Sequence, residues 1–386
     1  MNTQLKTIFV FLFLVCTLRG TAQNFSIDYP SYQNRNSDAL EISRIVRNDT
    51  ATILYMDAYS RPNYWIRLAS GLSLHGNQTG KNYPIIRSQG FELDKEVYMP
   101  ASGNVTFSLQ FAPLAPQEKM IDFIEGANKG DFQIKSISLN EQEKKGKIHC
   151  HISGKVIDSP QSSRLVLMKA HKNPSSSPWL SIPIRNGEFQ YDFYADHEEV
   201  YEVFIWNDML TGSWLPSLFF AENGPVSFTL YPASTRKPGL VSTSNPLTCE
   251  LQQLESERKA KFNFDSLYAQ MNKLYEENRF ESEALQTLWK RIEQVKDNNE
   301  ERNNIYRERD RLEESGEAYT EEGKALLVKI KQLNEEMNQW TIKHIKQNPS
   351  LPGLYVLTSK TEMARKGEDV TPFLNAYQET FASLYP

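Results

Sequence analysis

The stretch "KIHCHISGKV" (residues 147–156) alternates cleanly: Ile148, Cys150 and Ile152 share one side, and Lys147, His149, His151 and Ser153 the other. Side chains of a strand point to opposite faces in turn. The pattern therefore predicts a β-strand that hides Cys150 and leaves both histidines outside. Two imidazoles at such spacing lie about 7 Å apart along a strand and could share an ion, but a structural metal site needs further ligands and groups to orient them. No further ligand is identifiable from spacing, so neither a metal nor another cofactor is assigned.

Strand patterns continue on both sides. Over residues 24–140 the runs "LEISRIV", "TATILYMDAY", "VTFSLQF" and "FQIKSISL" are separated by turn-rich pieces such as "HGNQTGKN" and "PASGN". Short period-two runs rich in Val, Ile, Thr and aromatics predict an immunoglobulin-like β-sandwich over 23–140. The polar "NEQEKKGK" (residues 140–147) reads as a linker. Beyond it, "SRLVLMKAH", "WLSIPIRNGEFQYDFYA", "VYEVFIW" and "SLFFAENGPVSFTLYP" predict a second antiparallel sandwich over 147–233. The Asn-Gly pairs in "RNGEF" and "AENGP" read as hairpin turns, because those turns need positive φ.

After the connector "PASTRKPGLVSTSNP" the composition changes. No proline occurs between Pro246 and Pro349, and charged helix formers dominate. Apolar residues recur at three and four: Leu267, Met271 and Leu274; Leu285, Leu288, Ile292 and Val295; Leu326, Ile330, Leu333, Met337 and Trp340. That spacing predicts amphipathic helices. The polar "ESGEAYTEEGK" interrupts them, which suggests a helical hairpin or small bundle over 247–386 that closes on two short helices after "NPSLPG". The predicted fold class is multidomain, β then α: two antiparallel β-sandwich domains followed by an α-helical segment.

The N-terminus carries Lys6, the apolar run "IFVFLFLVCTL" and then small residues at Gly20 and Ala22. This is the pattern of a signal peptide over 1–22, cleaved near Ala22, and it predicts an exported, periplasmic or envelope-associated protein. Cys16 follows Val15, a poor fit to lipidation, which favours a small residue before the cysteine. No other stretch approaches the ~18 apolar residues of a spanning helix. The 386 residues carry a net charge of −5, with Lys and Arg scattered among Asp and Glu, so no basic stripe points to nucleic acid. Of the three cysteines, Cys150 and Cys249 lie beyond the leader, and no C-x-x-C exists to make a dithiol redox centre. An oxidising compartment would permit one bridge between them; buried free cysteine is the common alternative.

Other candidate sites are weaker. "DHEEV" (residues 196–200) gathers three carboxylates around His197, but freely hydrated neighbours lack the environment that separates catalytic pKa values. The second β region is rich in aromatics, with Trp179, Trp206, Trp214, Tyr191 and Phe193. Trp206, in "VFIW", is expected inside. Trp179 and Trp214 lie beside loops, where they could present a platform for a glycan or a peptide. No G-x-S-x-G and no phosphate-cradling glycine loop is present. The helical stripes read as internal core rather than a coiled-coil partner surface.

The order of parts resembles a known family. "ISGKV", "IPIRNGEFQYDF" and "FFAENGPVSFTLYP" resemble the domain of unknown function that precedes the thioredoxin module in Bacteroidetes TlpA/ResA-like thiol-disulfide interchange proteins. "HIKQNPSLPGLYVL" is similar to their helical connector, and "LEISRIVRNDTATIL", "GFEL" and "QFAPL" to an extra sandwich at the front of some members. The resemblance implies an envelope location and a link to thiol-disulfide exchange, but the sequence lacks the C-x-x-C, so no catalytic residue carries over. "DTA" (residues 49–51) and "DSL" (residues 265–267) are similar to the O-glycosylation sequon of exported Bacteroidetes proteins, with Thr50 and Ser266 as acceptors. The expected function is non-catalytic: an interaction or ligand-binding module of the bacterial cell envelope. The alternatives are an accessory that docks a separate thioredoxin-like partner, or a glycan or peptide binder acting through Trp179 and Trp214.

Overall fold

The computed structural model describes residues 25–128, 130–140, 145–174, 179–295, 298–364 and 368–384. The leader over 1–22, with Cys16 and the cleavage point at Ala22, lies outside the described residues, as do residues 141–144 of the linker. The described chain is built of strands up to Asn245 and of helices from Pro246, and it divides there into two compact units. The change at the proline-free stretch is thus real: β-structure first, helices after.

The first β region holds β1 (Phe25–Asp28), β2 (Asn34–Arg35), β3 (Leu40–Arg47), β4 (Thr52–Tyr59), β5 (Trp65–Ile66), β6 (Ser73–Gly76), β7 (Asn82–Gln89), β8 (Val97–Tyr98), β9 (Asn104–Phe111), β10 (Met120–Ile124) and β11 (Gln133–Ser138). Nine of these form one antiparallel sheet in the order β1-β3-β4-β9-β7-β6-β10-β11-β2, and β5 pairs with β8 apart from it. Strand β7 makes the corner. Its first half pairs with β6, as in Leu74↔Tyr83, its second half with β9, as in Ser88↔Leu109, and the ladder slips between Ile85 and Arg87. A strand that changes partners through a bulge bends its sheet. The curled sheet wraps a core that includes Leu54, Met56, Leu74, Phe107, Phe111 and Phe123. One continuous antiparallel sheet is what the ladders establish, a coarser result than the immunoglobulin-like sandwich expected.

The second β region comprises β12 (Ile148–Val156), β13 (Arg164–Lys169), β14 (Leu180–Pro183), β15 (Glu188–Ala195), β16 (Val200–Ile205), β17 (Ser217–Phe220), β18 (Gly224–Leu230) and β19 (Leu240–Thr243). They make two four-stranded sheets, β15-β12-β18-β19 and β14-β13-β16-β17, whose apolar faces share one core. Alternation along β12 holds: Cys150 and Ile152 are fully buried in that core, while His149 is exposed and His151 half-buried. Gly154 lies where β12 runs parallel to β18, and a Cβ there would strike the Phe228 carbonyl oxygen. In "RNGEF" the turn is as expected, with Asn186 at φ 54° and Gly187 at φ 76° between β14 and β15. "AENGP" is not a hairpin. Both Asn-Gly stretches join strands of different sheets, but only "RNGEF" closes a local bridge, Arg185↔Glu188; among the described residues no bridge closes over "AENGP", and Asn223 Oδ1 accepts the His149 N–H at 2.9 Å. The parallel pairing of β12 with β18 is the long-range contact that local turn chemistry could not signal.

A short helix, α1 (Trp206–Leu210), follows β16. The second unit contains α2 (Pro246–Lys261), α3 (Asp265–Glu276), α4 (Glu283–Gln294), α5 (Asn299–Ser315), α6 (Glu321–Gln347), α7 (Leu351–Glu362) and α8 (Thr371–Thr380). Side-chain caps start four of them: Ser282, Asn298, Thr320 and Ser350 accept backbone N–H groups of the first turn. Helix α4 packs on α5, α3 on α6, and α7 on both α2 and α8. Leu285, Leu288 and Ile305 are buried between α4 and α5, whereas α3 buries no residue fully.

Candidate functional site

Within the first unit the two β regions are fastened by arginines: Arg164 fully buried, Arg35 half-buried and Arg185 exposed. Arg164, at the start of β13, is 1% exposed, and its guanidinium lies 4.1 Å from the Trp206 ring, 4.4 Å from Tyr59 and 5.5 Å from Trp179. It donates to the Asp38 backbone carbonyl at 2.8 Å and to Asp38 Oδ2 at 3.1 Å, across the two regions. A cation desolvated this far persists because aromatic faces and a carboxylate replace its water. Burial pulls the Arg164 pKa down, opposed by Asp38, Tyr59 and Glu41. Arg185 makes a second link to Asp57 at 3.3 Å, and Asp57 also accepts from Thr106 at 2.6 Å. Arg35 pairs with Glu41, lies 4.8 Å over Trp179 and donates to the Trp179 carbonyl.

Beside these links a cleft of about 550 Å³ opens between the regions. One wall is the segment from Ile27 to Tyr32 with Glu41; the other comes from β12, β13, β14, β15 and β16. Strands β14 and β15 end their sheets, so residues of both faces reach the cleft, including Trp179, Tyr191, Asp192 and Tyr194. The Tyr29 and Tyr191 rings meet across it at 4.2 Å.

Three phenols distinguish the lining. The hydroxyls of Tyr29, Tyr32 and Tyr191 have no hydrogen-bond partner among the described residues, although Tyr191 is only 5% exposed. Burial raises the pKa of each, so each remains a neutral donor. Glu41, beside them, has its pKa raised by burial against the pull of Arg35. The lysines of the lining are neutralised by carboxylates outside it: Lys147 by Asp196 at 3.1 Å, Lys169 by Glu199 at 2.7 Å.

The histidines of β12 meet at the rim. His149 Nε2 and His151 Nδ1 approach the same oxygen, Oδ1 of Asp192, at 2.8 and 3.1 Å, and His149 stacks on Tyr194 at 4.8 Å. Register explains this, since β12 and β15 pair His151 with Asp192 directly. Among the described residues no group of three or more His, Cys, Asp and Glu is arranged to hold a metal ion. His197 is exposed and stands apart, and two of the three carboxylates of "DHEEV" turn to lysines, Asp196 to Lys147 and Glu199 to Lys169.

Trp179 reaches the cleft; Trp214 does not line it, and stacks instead on Phe204 at 5.6 Å on the outer face of the second sheet, with Trp206 nearby. Neither Cys150 nor Cys249 is disulfide-bonded: Cys150 is buried, its thiol pushed up to about 12 by desolvation, and Cys249 is exposed in α2. Thr50 is exposed in the turn after β3, its hydroxyl held by Asn48 at 2.8 Å, and Ser266 is exposed in the first turn of α3. A larger hollow of about 990 Å³ lies in the first region near Arg47 and Pro113. Three of its polar groups are committed to the fold: Asn48 caps its own turn, Arg47 binds the carbonyls of Glu118 and Pro116, and the Tyr83 hydroxyl donates to Glu118.

Sequence reasoning found Trp179 but missed Tyr29, Tyr32, Glu41 and Asp192. The one local signal was the density of aromatics near "FQYDFYA". No protein-family model and no curated protein matches this chain. Among solved structures, a match to the apo form of translation elongation factor SelB from Methanococcus maripaludis has 7% identity over 53% of this chain and 46% of that one. Its TM-score is 0.13, so it carries no argument about the fold. No helix among the described residues is long and apolar enough to cross a membrane.

Proposed function

We propose that this protein is a non-catalytic, exported component of the bacterial cell envelope that holds a ligand in the cleft between its two β regions. We read both regions as β-sandwiches, the first immunoglobulin-like, with the helices as a separate element. The observation that carries the reading is the concave, aromatic wall bearing three uncommitted phenols. A mostly apolar hollow with a few convergent polar groups is the form that small-ligand sites take. The imidazoles at its rim share a single carboxylate oxygen, and among the described residues no nucleophile is bonded to them.

Two measurements test it. Mass spectrometry of the envelope fraction should find a chain beginning at Gln23; a cytoplasmic chain with its leader intact refutes the location. Thermal melting in a small-molecule extract of the envelope should show a rise that Trp179→Ala loses, because a ligand bound to the folded state alone stabilises it.

A second reading, an accessory docking a separate thioredoxin-like partner, is favoured by the exposure of Cys249. A thioredoxin-fold protein whose resolving cysteine is removed and whose remaining cysteine is first activated as a mixed disulfide with a small aromatic thiol should then capture this chain through Cys249, the Cys249 thiolate displacing the small thiol. Recovery of no mixed disulfide argues against it.

A further inference from the structure

We infer that the ligand of the cleft is a neutral saccharide; this rests on the ligand-binding reading above and specifies its chemistry. Charge comes first. Each cation of the lining is already paired: Lys147 with Asp196 and Lys169 with Glu199, while Arg35 behind the wall pairs with Glu41. An anionic ligand such as a nucleotide or a phosphate would have to break one of these pairs to find a counter-ion. Asp28, exposed on the opposite wall, has no ion pair among the described residues, which further disfavours negative charge.

Hydrogen bonding comes second. Tyr29, Tyr32 and Tyr191 offer donors, and Asp28 with Oδ2 of Asp192 offers acceptors that lack partners among the described residues. Donors and acceptors alternate with aromatic surface, so the complement is a molecule with hydroxyls around its edge and apolar faces. A pyranose ring has that form: its C–H face carries slight positive charge and lies against the negative face of an aromatic ring. The Tyr29, Tyr32 and Tyr191 hydroxyls are engaged by no protein group among the described residues, so each can exchange a bond to water for one to a ligand oxygen at the modest net gain of a single hydrogen bond.

Size comes third. A cleft of about 550 Å³ lies within the usual ~300–1,000 Å³ of small-molecule sites and limits the ligand to a short oligosaccharide or the end of a longer chain. The links Arg164 to Asp38 and Arg185 to Asp57 hold its walls in place, so little ordering is required on binding.

The test is calorimetric titration of the whole chain with three probes: neutral di- and trisaccharides of glucose, mannose and N-acetylglucosamine; a uronic acid oligomer; and a pool of neutral tetrapeptides. Trp179→Ala removes a wall but also the ring between Arg35 and Arg164, so Tyr191→Phe and Tyr29→Phe, which delete one oxygen each, accompany it. A neutral saccharide should bind, with each Tyr→Phe change weakening it about three- to tenfold, the value of one hydrogen bond, while melting of the free protein is unmoved. Binding of the peptide pool or the uronate alone, with the same sensitivity to Tyr191→Phe, overturns the saccharide and leaves the ligand cleft standing. Saccharide binding indifferent to all three variants overturns its placement in the cleft. Silence from every probe, with the variants folded, overturns both readings.

Discussion

The strand-built and helix-built units of this chain hold themselves together by different means. In the first unit large side chains are fully buried, and even a guanidinium, Arg164, is enclosed by aromatic rings and fastened to a neighbouring region. The helical unit also buries large side chains, such as Phe381 and Ile345, but its charged groups pair at the surface, as in Arg291 with Glu301 and Glu308 or Arg279 with Glu322. Enclosed contacts cannot be exchanged for water without loss; exposed ones can. The difference teaches where a preformed site can be built. Walls fixed by buried, directional contacts keep a cleft open, and half-buried helix faces do not.

Breaking the enclosed side should have the largest effect. Arg164→Ala removes a large buried side chain together with its cation–π contacts and should destabilise the first unit by about 3–5 kcal/mol. Urea unfolding followed by tryptophan fluorescence checks this. An unshifted midpoint would show that Arg164 is not the fastening.

Next is a buried carboxyl on the same unit. Glu202 in β16 is 6% exposed, and burial raises its pKa to about 7 against a hydrogen bond from the His171 backbone. The folded state therefore holds a proton that the unfolded state, near 4.3, releases earlier. Stability is unaffected by this group at the acid end, falls as pH rises from about 4.3 to 7, and is lower by up to about 3 kcal/mol above that. Glu202→Gln should consequently raise the melting temperature at pH 8 and leave it unchanged at pH 4.

On the exposed side, Arg291→Ala should lower the melting of the helical unit only slightly at low salt, and high salt should erase the difference, because hydrated ion pairs are screened. A salt-independent loss would place Arg291 with the enclosed contacts instead. The smallest effect is chemical. In a chain beginning at Gln23, a thiol reagent should label Cys249 in the folded protein and Cys150 only after denaturant is added, since burial keeps the Cys150 thiol protonated.

Particular residues show how far the sequence could be read. Alternation placed Cys150 inside and His149 outside, because a strand's two faces repeat every second residue and one face is buried. The Asn-Gly of "RNGEF" was legible because positive φ at Asn186 and Gly187 is a local demand. The Asn-Gly of "AENGP" was misleading, because Asn223 does not take the positive φ of the tight turn and its side chain is engaged instead by the His149 N–H. The same limit hid the cleft. Tyr29 and Tyr191 are 162 positions apart in the numbering, and nothing in either neighbourhood announces the other.

The sequence by itself determined the change from strands to helices at Pro246, the inward thiol of β12 and the absence of a C-x-x-C, since periodicity and composition act over a few residues. Tertiary structure alone decided that β12 runs beside β18, that Asp192 gathers both histidines, and that Trp179 rather than Trp214 faces the hollow. Those outcomes depend on which distant surfaces pack together, and packing is settled by the whole set of buried contacts at once.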